Sequence, residues 1–438
     1  MLLDFTVENF RSIKGAETLS AVAASKSKAK ASNSESRRRV KSDDEIAEPF
    51  HVEGWDIDVL PVIAIFGANA SGKSNVLQAL DYLLECMARG MFRGDDERTS
   101  PLIPFKLDKL NEQNPSYFNL RTAFNGTIYT YSLVLNGNRI FLERLSYALS
   151  STKRERLLFS RTWNESTQRF DWKNGSDFSG AHNQLAESLE DHEPFISILS
   201  RLKIEVVKPL VQWIMTSQGG RYWGQQEIDS SFLNSLWNAE PTNLGLTGVL
   251  ERTKNLLLKF DTGLDDIEIR KTESDKKSYQ LYAVHKTGDS SYISWKFEEE
   301  SMGTQKLFGL VYRMQLMFFA GSFLMIADEL GSNIHPNITR EIVRLFHSPK
   351  TNPKRTQLIF TSHDNTLQRN NLLRRDQIWF TQKRLDQSTE LYPLSDFKVR
   401  NDLAIDKAYL DGRFRAVPFI SDEDEQSTSL EEKDKDNA

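Results

Sequence analysis

The stretch that most constrains this chain is "GANASGKS", Gly67 to Ser74. It fits the pattern of a glycine, four residues, a second glycine, a lysine, and then serine or threonine. The apolar run 59–66, "VLPVIAIF", predicts a buried strand before it, and 75–87, "NVLQALDYLLECM", has the apolar period of a helix. Strand, glycine-rich loop and helix in that order bind phosphate groups, so we expect a nucleotide site here. The alternative is a glycine-rich turn that happens to carry a lysine.

Each residue type in this loop has an expected role. Gly67 and Gly72 allow the backbone to curl so that its N–H groups face phosphates, and the helix N-terminus adds a partial positive charge. Lys73 is expected to bridge the β- and γ-phosphates of ATP and to act in catalysis, and Ser74 to ligate Mg²⁺. The predicted nucleotide contacts are Gly67, Ala68, Asn69, Ala70, Ser71, Gly72, Lys73, Ser74 and Asn75.

An acidic pair ends a second apolar run, "SFLMIADEL" at 322–330. Five apolar residues, Phe323 to Ala327, lead into Asp328 and Glu329. We expect Asp328 to hold Mg²⁺ and Glu329 to orient and polarise the attacking water. A pair of solvated surface carboxylates is the alternative, but the position at the end of a buried strand favours the catalytic interpretation.

A third short strand, within "QLIFTSHD" at 357–364, ends next to His363. A histidine after a strand is usually structural. Here, however, the order of loop, acid pair, strand and histidine matches a hydrolase design in which the histidine hydrogen-bonds the γ-phosphate. We therefore predict a catalytic role for His363, together with Glu329 and Lys73.

The segment "EESMGTQKLFGLVYRMQLMF", 299–318, predicts a helix that starts near Ser301 and Gly303. ABC-type ATPases keep their signature motif at this distance before the acid pair, where it closes over the nucleotide of a second subunit. Ser301 and Gly303 are thus expected to contact nucleotide across a symmetric interface, in a homodimer or higher homo-oligomer. An ordinary capped helix is the alternative.

The opening "FTVENFRSIKG" resembles the first strand of SMC- and RecF-type ATPases, in which residues at the positions of Arg11 and Ser12 approach the nucleotide. The spacing of "ESMGTQKL", "ADELGSNIHP" and "FTSHD" resembles more narrowly the compact bacterial defence ATPases of the RloA and AbiL type, and the ATPase of the PARIS anti-phage system. The resemblance implies an α/β fold of the ABC-type P-loop class, with an antiparallel β-lobe, a short helical insertion, and ATP and Mg²⁺ as cofactors.

Two features depart from that pattern. The polar segment 22–50 is longer than expected after the first strand. After Glu329 the chain reads "LGSNIHP", so the usual aspartate of the D-loop is absent and Asn333 would have to replace it.

The 438 residues exceed what one hydrophobic core usually holds. We expect a first ATPase lobe at 1–180, with antiparallel strands from 117 to 173, a helical insertion at 181–262, a second lobe at 263–420 and an acidic tail at 421–438.

The tail carries eight acids and two lysines, which leaves residues 1–420 near neutrality and without a bulk charge that would favour nucleic acid. The basic stretch 25–45 is either a solvated loop or a contact to an anion or a nucleic acid.

The composition gives little support to a membrane, secreted, disulfide-bonded or metal-binding protein. No run of about 18 apolar residues and no secretory leader is present, so we expect a cytoplasmic protein without a membrane partner. The single cysteine, Cys86, excludes an intramolecular disulfide, and the seven histidines lack metal-ligand spacing.

Three functions remain open. The resemblance implies a sensor or scaffold ATPase of an anti-phage system, triggered by a phage component, that gates a separately encoded effector such as a Toprim nuclease or another toxin. The chain itself contains no HNH, serine-hydrolase or Toprim-like pattern. The alternatives are a RecF- or SMC-like DNA-binding ATPase in DNA repair or organisation, and the nucleotide-binding subunit of a transporter.

Overall fold

The computed structural model describes residues 1–24, 48–89, 102–178, 185, 189–201, 204–218, 221–222, 244–260, 262–271, 279–321, 324–369, 372–400 and 403–418. Structural statements below refer to these residues. The basic stretch 25–45 and the acidic tail 421–438 both lie wholly outside these residues, so what the sequence predicts for them stays a prediction. The helical insertion 181–262 is described only in part, and the boundaries of the expected lobes stay a prediction.

The described residues form eighteen strands and seven α-helices. Strands β1 to β18 are Leu2–Glu8, Glu17–Ser20, Phe50–His51, Asp58–Val59, Val62–Gly67, Ser116–Phe124, Thr127–Leu135, Ile140–Leu149, Glu155–Asn164, Arg169–Asn174, Arg221–Tyr222, Asp266–Lys271, Tyr279–Lys286, Tyr292–Lys296, Leu324–Ala327, Gln357–Thr361, Ile378–Lys383 and Thr389–Pro393. Helices α1 to α7 are Lys73–Arg89, Lys109–Gln113, Lys208–Gln218, Leu244–Lys259, Met302–Ala320, Pro336–His347 and Ile405–Leu410.

A six-stranded sheet holds the three predicted motifs, in the order β11-β15-β16-β5-β17-β18. The strands from β11 to β17 run parallel, and β18 pairs antiparallel with β17. Every residue of β5, β15 and β16 is buried, as expected for a parallel sheet covered on both faces. Since parallel strands share one carboxyl edge, the residues that follow β5, β15, β16 and β17 meet there.

Strand β5 shows how the layers form. Ile63 and Ile65 face the core that contains α1, whereas Val62, Ala64 and Phe66 face the core that contains α5 and α6. This alternation follows from the two-residue period of a strand. The sequence predicted one strand over 59–66, but β4 and β5 are separate strands, with Pro61, which has no backbone N–H, just before β5.

A seven-stranded antiparallel sheet forms the β-lobe, in the order β10-β9-β8-β7-β6-β1-β2. The antiparallel strands predicted between 117 and 173 are confirmed by β6 to β10, and the opening strand β1 joins them. Inside this lobe lies a fully buried ion pair, in which Arg161 Nε donates to Glu143 Oε2 at 2.7 Å. The Tyr131 hydroxyl and the backbone N–H groups of Phe195 and Ile196 also donate to Glu143, so the buried carboxylate is fully satisfied.

The two sheets are joined through a buried glutamine at the start of β16. Gln357 Oε1 accepts from the Leu2 N–H at 2.6 Å, and its Nε2 donates to the carbonyls of Leu2 and Leu60. Strands β12 to β14 make a separate antiparallel sheet that precedes α5. Among the described helices, none has the length and hydropathy needed to cross a membrane.

Candidate nucleotide-binding site

The loop between β5 and α1 requires glycine at both predicted positions. Gly67 has φ 156° and Gly72 has φ 105°. A Cβ atom would lie 2.5 Å from the Thr381 carbonyl oxygen at Gly67 and 2.1 Å from Thr389 Oγ1 at Gly72. Any side chain would therefore push the loop away from the neighbouring strands β17 and β18, so the tight curl of the loop depends on glycine.

Hydroxyl groups hold the loop in place from those strands. Ser71 Oγ lies 2.6 Å from Thr381 Oγ1, and Thr389 Oγ1 donates to the Ser71 carbonyl at 2.9 Å. Ser12 Oγ lies 2.7 Å from Thr389 Oγ1 and accepts from Asn75 Nδ2 at 2.6 Å. The sequence predicted Ser12, Ser71 and Asn75 at the site, but nothing in it marked Thr381 and Thr389.

Lys73 lies inside the curl. Its Nζ donates to the carbonyls of Gly67 and Ala68, both at 2.9 Å, and the side chain is almost completely buried. Burial lowers the pKa of Lys73 to about 8, although the charges of Asp328 and Glu329 act in the opposite direction. A partly desolvated ammonium group beside backbone N–H groups is a strong anion ligand.

The two predicted magnesium ligands meet. Ser74 Oγ donates to Asp328 Oδ1 at 3.0 Å, and Thr361 Oγ1 donates to the same oxygen at 2.5 Å. A hydroxyl and a carboxylate are the hard oxygen ligands that Mg²⁺ prefers, so the residues present fit this ion. Thr361, at the end of β16, orients Asp328 and was not predicted.

Glu329 follows Asp328 in a backbone conformation that is unusual for its type, with φ 51°. Its N–H donates to Thr361 Oγ1 at 2.8 Å, and the next N–H, of Leu330, donates to the Thr361 carbonyl. These bonds turn the chain sharply at the end of β15. As a result the Glu329 side chain is exposed and borders the same cavity as Lys73.

A cavity of about 440 Å³ lies over the loop. Its lining consists of Ser12, Asn69, Ala70, Gly72, Lys73, Ser74, Asn75, Glu329, His363 and Lys383. Burial, and then the positive charge of Lys73, lower the pKa of His363, so its imidazole is neutral at neutral pH. The sequence analysis did not predict Lys383 in this lining. Its only sequence signal is that Lys383 ends β17, the strand before the one that contains Thr389.

Arg11 lies outside this lining. Its backbone has φ 51° and its N–H donates to the Ile103 carbonyl at 2.7 Å. The guanidinium is near the Phe10 ring, burial lowers its pKa, and its Nε is buried without a hydrogen-bond partner among the described residues. The nucleotide contact predicted for Arg11 thus stays a prediction, whereas Ser12 does line the cavity.

Ser301 and Gly303 mark the start of α5, as the sequence predicted. Ser301 is the N-cap, and its Oγ accepts from the Thr304 N–H at 3.1 Å. A Cβ on Gly303 would lie 3.0 Å from the Asn333 carbonyl oxygen, so the helix start packs on the segment after Glu329. Neither residue lines the described cavity of its own chain, and Ser301 is exposed.

A protein-family model described as "AAA domain, putative AbiEii toxin, Type IV TA system" matches residues 62–369. The matched span is about 70% of the chain and begins at the first residue of β5. It contains the glycine-rich loop, the start of α5, the acid pair and His363. No curated protein matches the sequence.

Many solved structures show distant similarity to this chain, among them three SMC heads. The "SMC head domain from Thermotoga maritima" is 14% identical, with a TM-score of 0.41, over 90% of this chain and 98% of that chain. An SMC head bound to the C-terminal winged-helix domain of ScpA is 12% identical, with a TM-score of 0.43, over 90% and 97%. An SMC head with an extended coiled coil, bound to the C-terminal domain of ScpA derived from Pyrococcus furiosus, is 12% identical, with a TM-score of 0.40, over 94% and 98%.

Proposed function

The chain belongs to the AAA domain family of that description, and on this premise we propose that it is an ATP-hydrolysing sensor or scaffold subunit of an anti-phage, abortive-infection system. The observation that carries the ATPase part is the convergence of Lys73, Ser74, Glu329 and His363 around one cavity, with Asp328 bonded to Ser74. These residues come from the ends of three neighbouring parallel strands. Their chemistry is that of phosphoryl transfer to water.

In the proposed complex the triphosphate lies along the N-terminus of α1. The loop N–H groups and Lys73 bind its oxygens, with the Lys73 ammonium moving from the carbonyls of Gly67 and Ala68 to phosphate. Ser74 and Asp328 would hold Mg²⁺, which when bound withdraws charge from the phosphate oxygens. The bond from Thr361 keeps the second ligand oriented.

For hydrolysis, Glu329 accepts a hydrogen bond from the attacking water and orients it. The turn at φ 51° directs this carboxylate into the cavity and away from the strand. His363, neutral at neutral pH, can donate a hydrogen bond to a γ-phosphate oxygen. The loss of that contact after cleavage would report hydrolysis to the rest of the chain.

The site is completed by a second copy in this proposal. Ser301 is exposed at the N-terminus of α5, outside the cavity of its own chain, and Gly303 lies in the first turn of that helix. A helix N-terminus with a serine cap suits a phosphate held by the partner protomer. A symmetric dimer gives both sites the same complement. Larger homo-oligomers can be built from the same contact.

The gating part rests on the family and on the resemblance given above. ATP turnover changes how the protomers close, and this closure holds or releases a separately encoded toxic effector, such as a Toprim nuclease, when a phage component is sensed. The RecF-like alternative predicts instead that DNA stimulates hydrolysis and that added salt abolishes this stimulation.

The ATPase part is tested with Glu329→Gln. Loss of the water-orienting carboxylate should slow hydrolysis by about 100-fold or more, with ATP binding retained. Steady-state phosphate release and ATP titration by calorimetry measure the two effects. Lys73→Ala should remove binding, and Glu341→Gln, an exposed pair partner of Arg344, is the matched control. Parent-like hydrolysis by both Glu329→Gln and Lys73→Ala would refute the site.

The gating part is tested by co-purification with the product of the adjacent gene. A complex whose composition or activity differs between the parent protein and Glu329→Gln in the presence of ATP is expected. An identical complex in both, with and without ATP, would contradict gating while leaving the ATPase assignment intact.

A further inference from the structure

One cation in the cavity has no role in the chemistry described so far. Strand β17 lies on the opposite side of β5 from β15 and β16, and Thr381 pairs with Gly67 in register. Lys383, the last residue of β17, therefore lies at the shared carboxyl edge and lines the cavity. The two carboxylates and His363 occupy one flank of the loop, and Lys383 occupies the other.

Lys383 differs from its basic neighbours because no carboxylate forms a salt bridge with it among the described residues. Lys383 Nζ donates to the Gln387 carbonyl at 2.7 Å. Asp386 in the same turn acts on it through its charge alone. The nearby Lys14, by contrast, forms salt bridges with Asp108 and Asp386. Lys383 is exposed at the cavity mouth and held by a neutral carbonyl, so it can exchange that contact for an anion at little cost.

A second nearby cation is paired as well. Arg384, the residue after Lys383, contacts Glu17 at 2.8 Å, and the Glu17 carboxylate is buried. The two consecutive basic residues therefore differ, because the first borders the cavity and the second is bonded to the β-lobe.

The position of Lys383 is fixed by its turn. Asp386 accepts from the Ser388 N–H and hydroxyl and from Lys14, which holds the turn between β17 and β18. On either side of this turn, Thr381 and Thr389 bond Ser71 of the glycine-rich loop. The backbone of Lys383 is thereby tied to the phosphate-binding backbone.

A nucleoside triphosphate carries more negative charge than one Mg²⁺ and one lysine neutralise. Asp328, Ser74 and Lys73 act on the flank that faces β15 and β16, which leaves phosphate oxygens on the β17 side without a described cation other than Lys383. Charge-assisted hydrogen bonds to such oxygens are the strong class of hydrogen bond.

We infer that Lys383 is a second phosphate-binding lysine, which leaves the Gln387 carbonyl and contacts the phosphate chain of the bound nucleotide on the side away from Asp328. The inference rests on the proposed ATP site and adds a binding residue to it. Lys383 positions the phosphates and does not take part in proton transfer.

The test compares Lys383→Gln, Lys383→Arg and, as a matched control, the exposed Lys350→Gln. The dissociation constant for ATP with Mg²⁺ is measured by calorimetry at several salt concentrations, with the melting temperature of each variant. Lys383→Gln should weaken ATP binding about tenfold, which corresponds to about 1.4 kcal/mol, and make its salt dependence shallower. Lys383→Arg should restore both the affinity and the salt dependence, and Lys350→Gln should match the parent.

Two results would overturn the inference. One is an affinity of Lys383→Gln within twofold of the parent; the other is equal weakening by glutamine and arginine, which would show that the charge is not needed. If the parent itself fails to bind ATP, and Lys73→Ala is indistinguishable from it, the proposed ATP site fails as well. The two failures are thus distinguishable.

Discussion

At the scale of single residues, the chemistry depends on backbone positions that most side chains avoid. Glu329 has φ 51° and Ala70 has φ 59° in the loop. Such conformations persist only where the surroundings enforce them, and they cluster at functional sites. At Glu329, which follows β15, the bonds that enforce this conformation come from Thr361 at the end of β16. Its hydroxyl accepts from the Glu329 N–H, and its carbonyl accepts from the next N–H.

His347 gives a residue-scale prediction on pH. This last residue of α6 is buried against Gln377, and burial lowers the pKa of His347 to about 4. Between pH 6.5 and 4 the unfolded state then binds more protons than the folded state, so the free energy of unfolding falls as pH falls. The loss between pH 7.5 and pH 5 is expected to be on the order of 2 kcal/mol, measured by urea unfolding.

The control for this prediction is a second histidine. His347→Gln should lose less stability than the parent over the same pH range, because the titrating group is gone. His51→Gln, in which the replaced ring is exposed and contacts Asp58, should behave like the parent. The same pH dependence in the parent and His347→Gln would rule out the buried imidazole as its cause.

At the scale of elements, the start of α5 is held by more than its cap. Glu300 Oε1 accepts from His285 Nε2 at 2.7 Å and from Trp295 Nε1 at 2.8 Å, and the His285 and Trp295 rings stack at 4.1 Å. The Glu300 carbonyl accepts from Gln305 Nε2. Strands β13 and β14 thereby position the residue that precedes Ser301.

This arrangement predicts an effect of Glu300→Ala. Two partly buried donors lose their acceptor, which should lower the free energy of unfolding by about 1–3 kcal/mol. The start of α5 also loses its support, so ATP hydrolysis should fall several-fold while ATP affinity stays within twofold. Denaturant unfolding, phosphate release and calorimetry measure these three quantities.

Glu299→Ala is the matched control, since this neighbour is exposed. It should leave the free energy of unfolding within about 0.5 kcal/mol of the parent value. The rate of ATP hydrolysis and the ATP affinity should each stay within twofold of the parent. If Glu300→Ala unfolds at the same denaturant concentration as Glu299→Ala and hydrolyses ATP at the same rate, the Glu300 contacts do not support α5.

At the scale of the whole molecule, the candidate catalytic residues lie at the carboxyl edge of the six-stranded sheet, and the exposed start of α5 lies outside their cavity. Met302, the first residue of α5, is 67% exposed between Ser301 and Gly303. Changes at Gly303 would strain its own chain against Asn333, so Met302 is the better position at which to probe the proposed dimer.

Met302→Glu places a negative charge where the proposed dimer brings a partner's triphosphate. Dimer formation by the Glu329→Gln protein with ATP should then weaken by at least tenfold, with the melting temperature of the monomer unchanged. Sedimentation velocity with and without ATP measures the assembly. Met302→Gln is the uncharged control, and ATP-dependent dimers of equal strength in both variants would place this surface outside the interface.

The fold class could be predicted from the sequence because each local pattern carries its own physical cause. The strand, glycine-rich loop and helix around Lys73 are consecutive, and the alternation of 117–173 fixes antiparallel strands. The ABC-type P-loop ATPase fold, with its antiparallel β-lobe, is confirmed. Ser74 and Asp328 are hydrogen-bonded because both follow strands of one parallel sheet. Their role as magnesium ligands stays a prediction.

The sequence alone determined the motifs. Glycine-rich loops, buried strands and helix caps each depend on residues that are neighbours in the chain. Only the tertiary structure decided which strands lie beside them. Thr361, Thr381, Thr389 and Lys383 lie far from Gly67 in the chain. They reach the site because β16 and β17 flank β5 in the sheet and β18 lies beside β17. Strand order depends on the packing of the whole chain, so a threonine or lysine near the end of a strand was too weak a local signal to identify these residues.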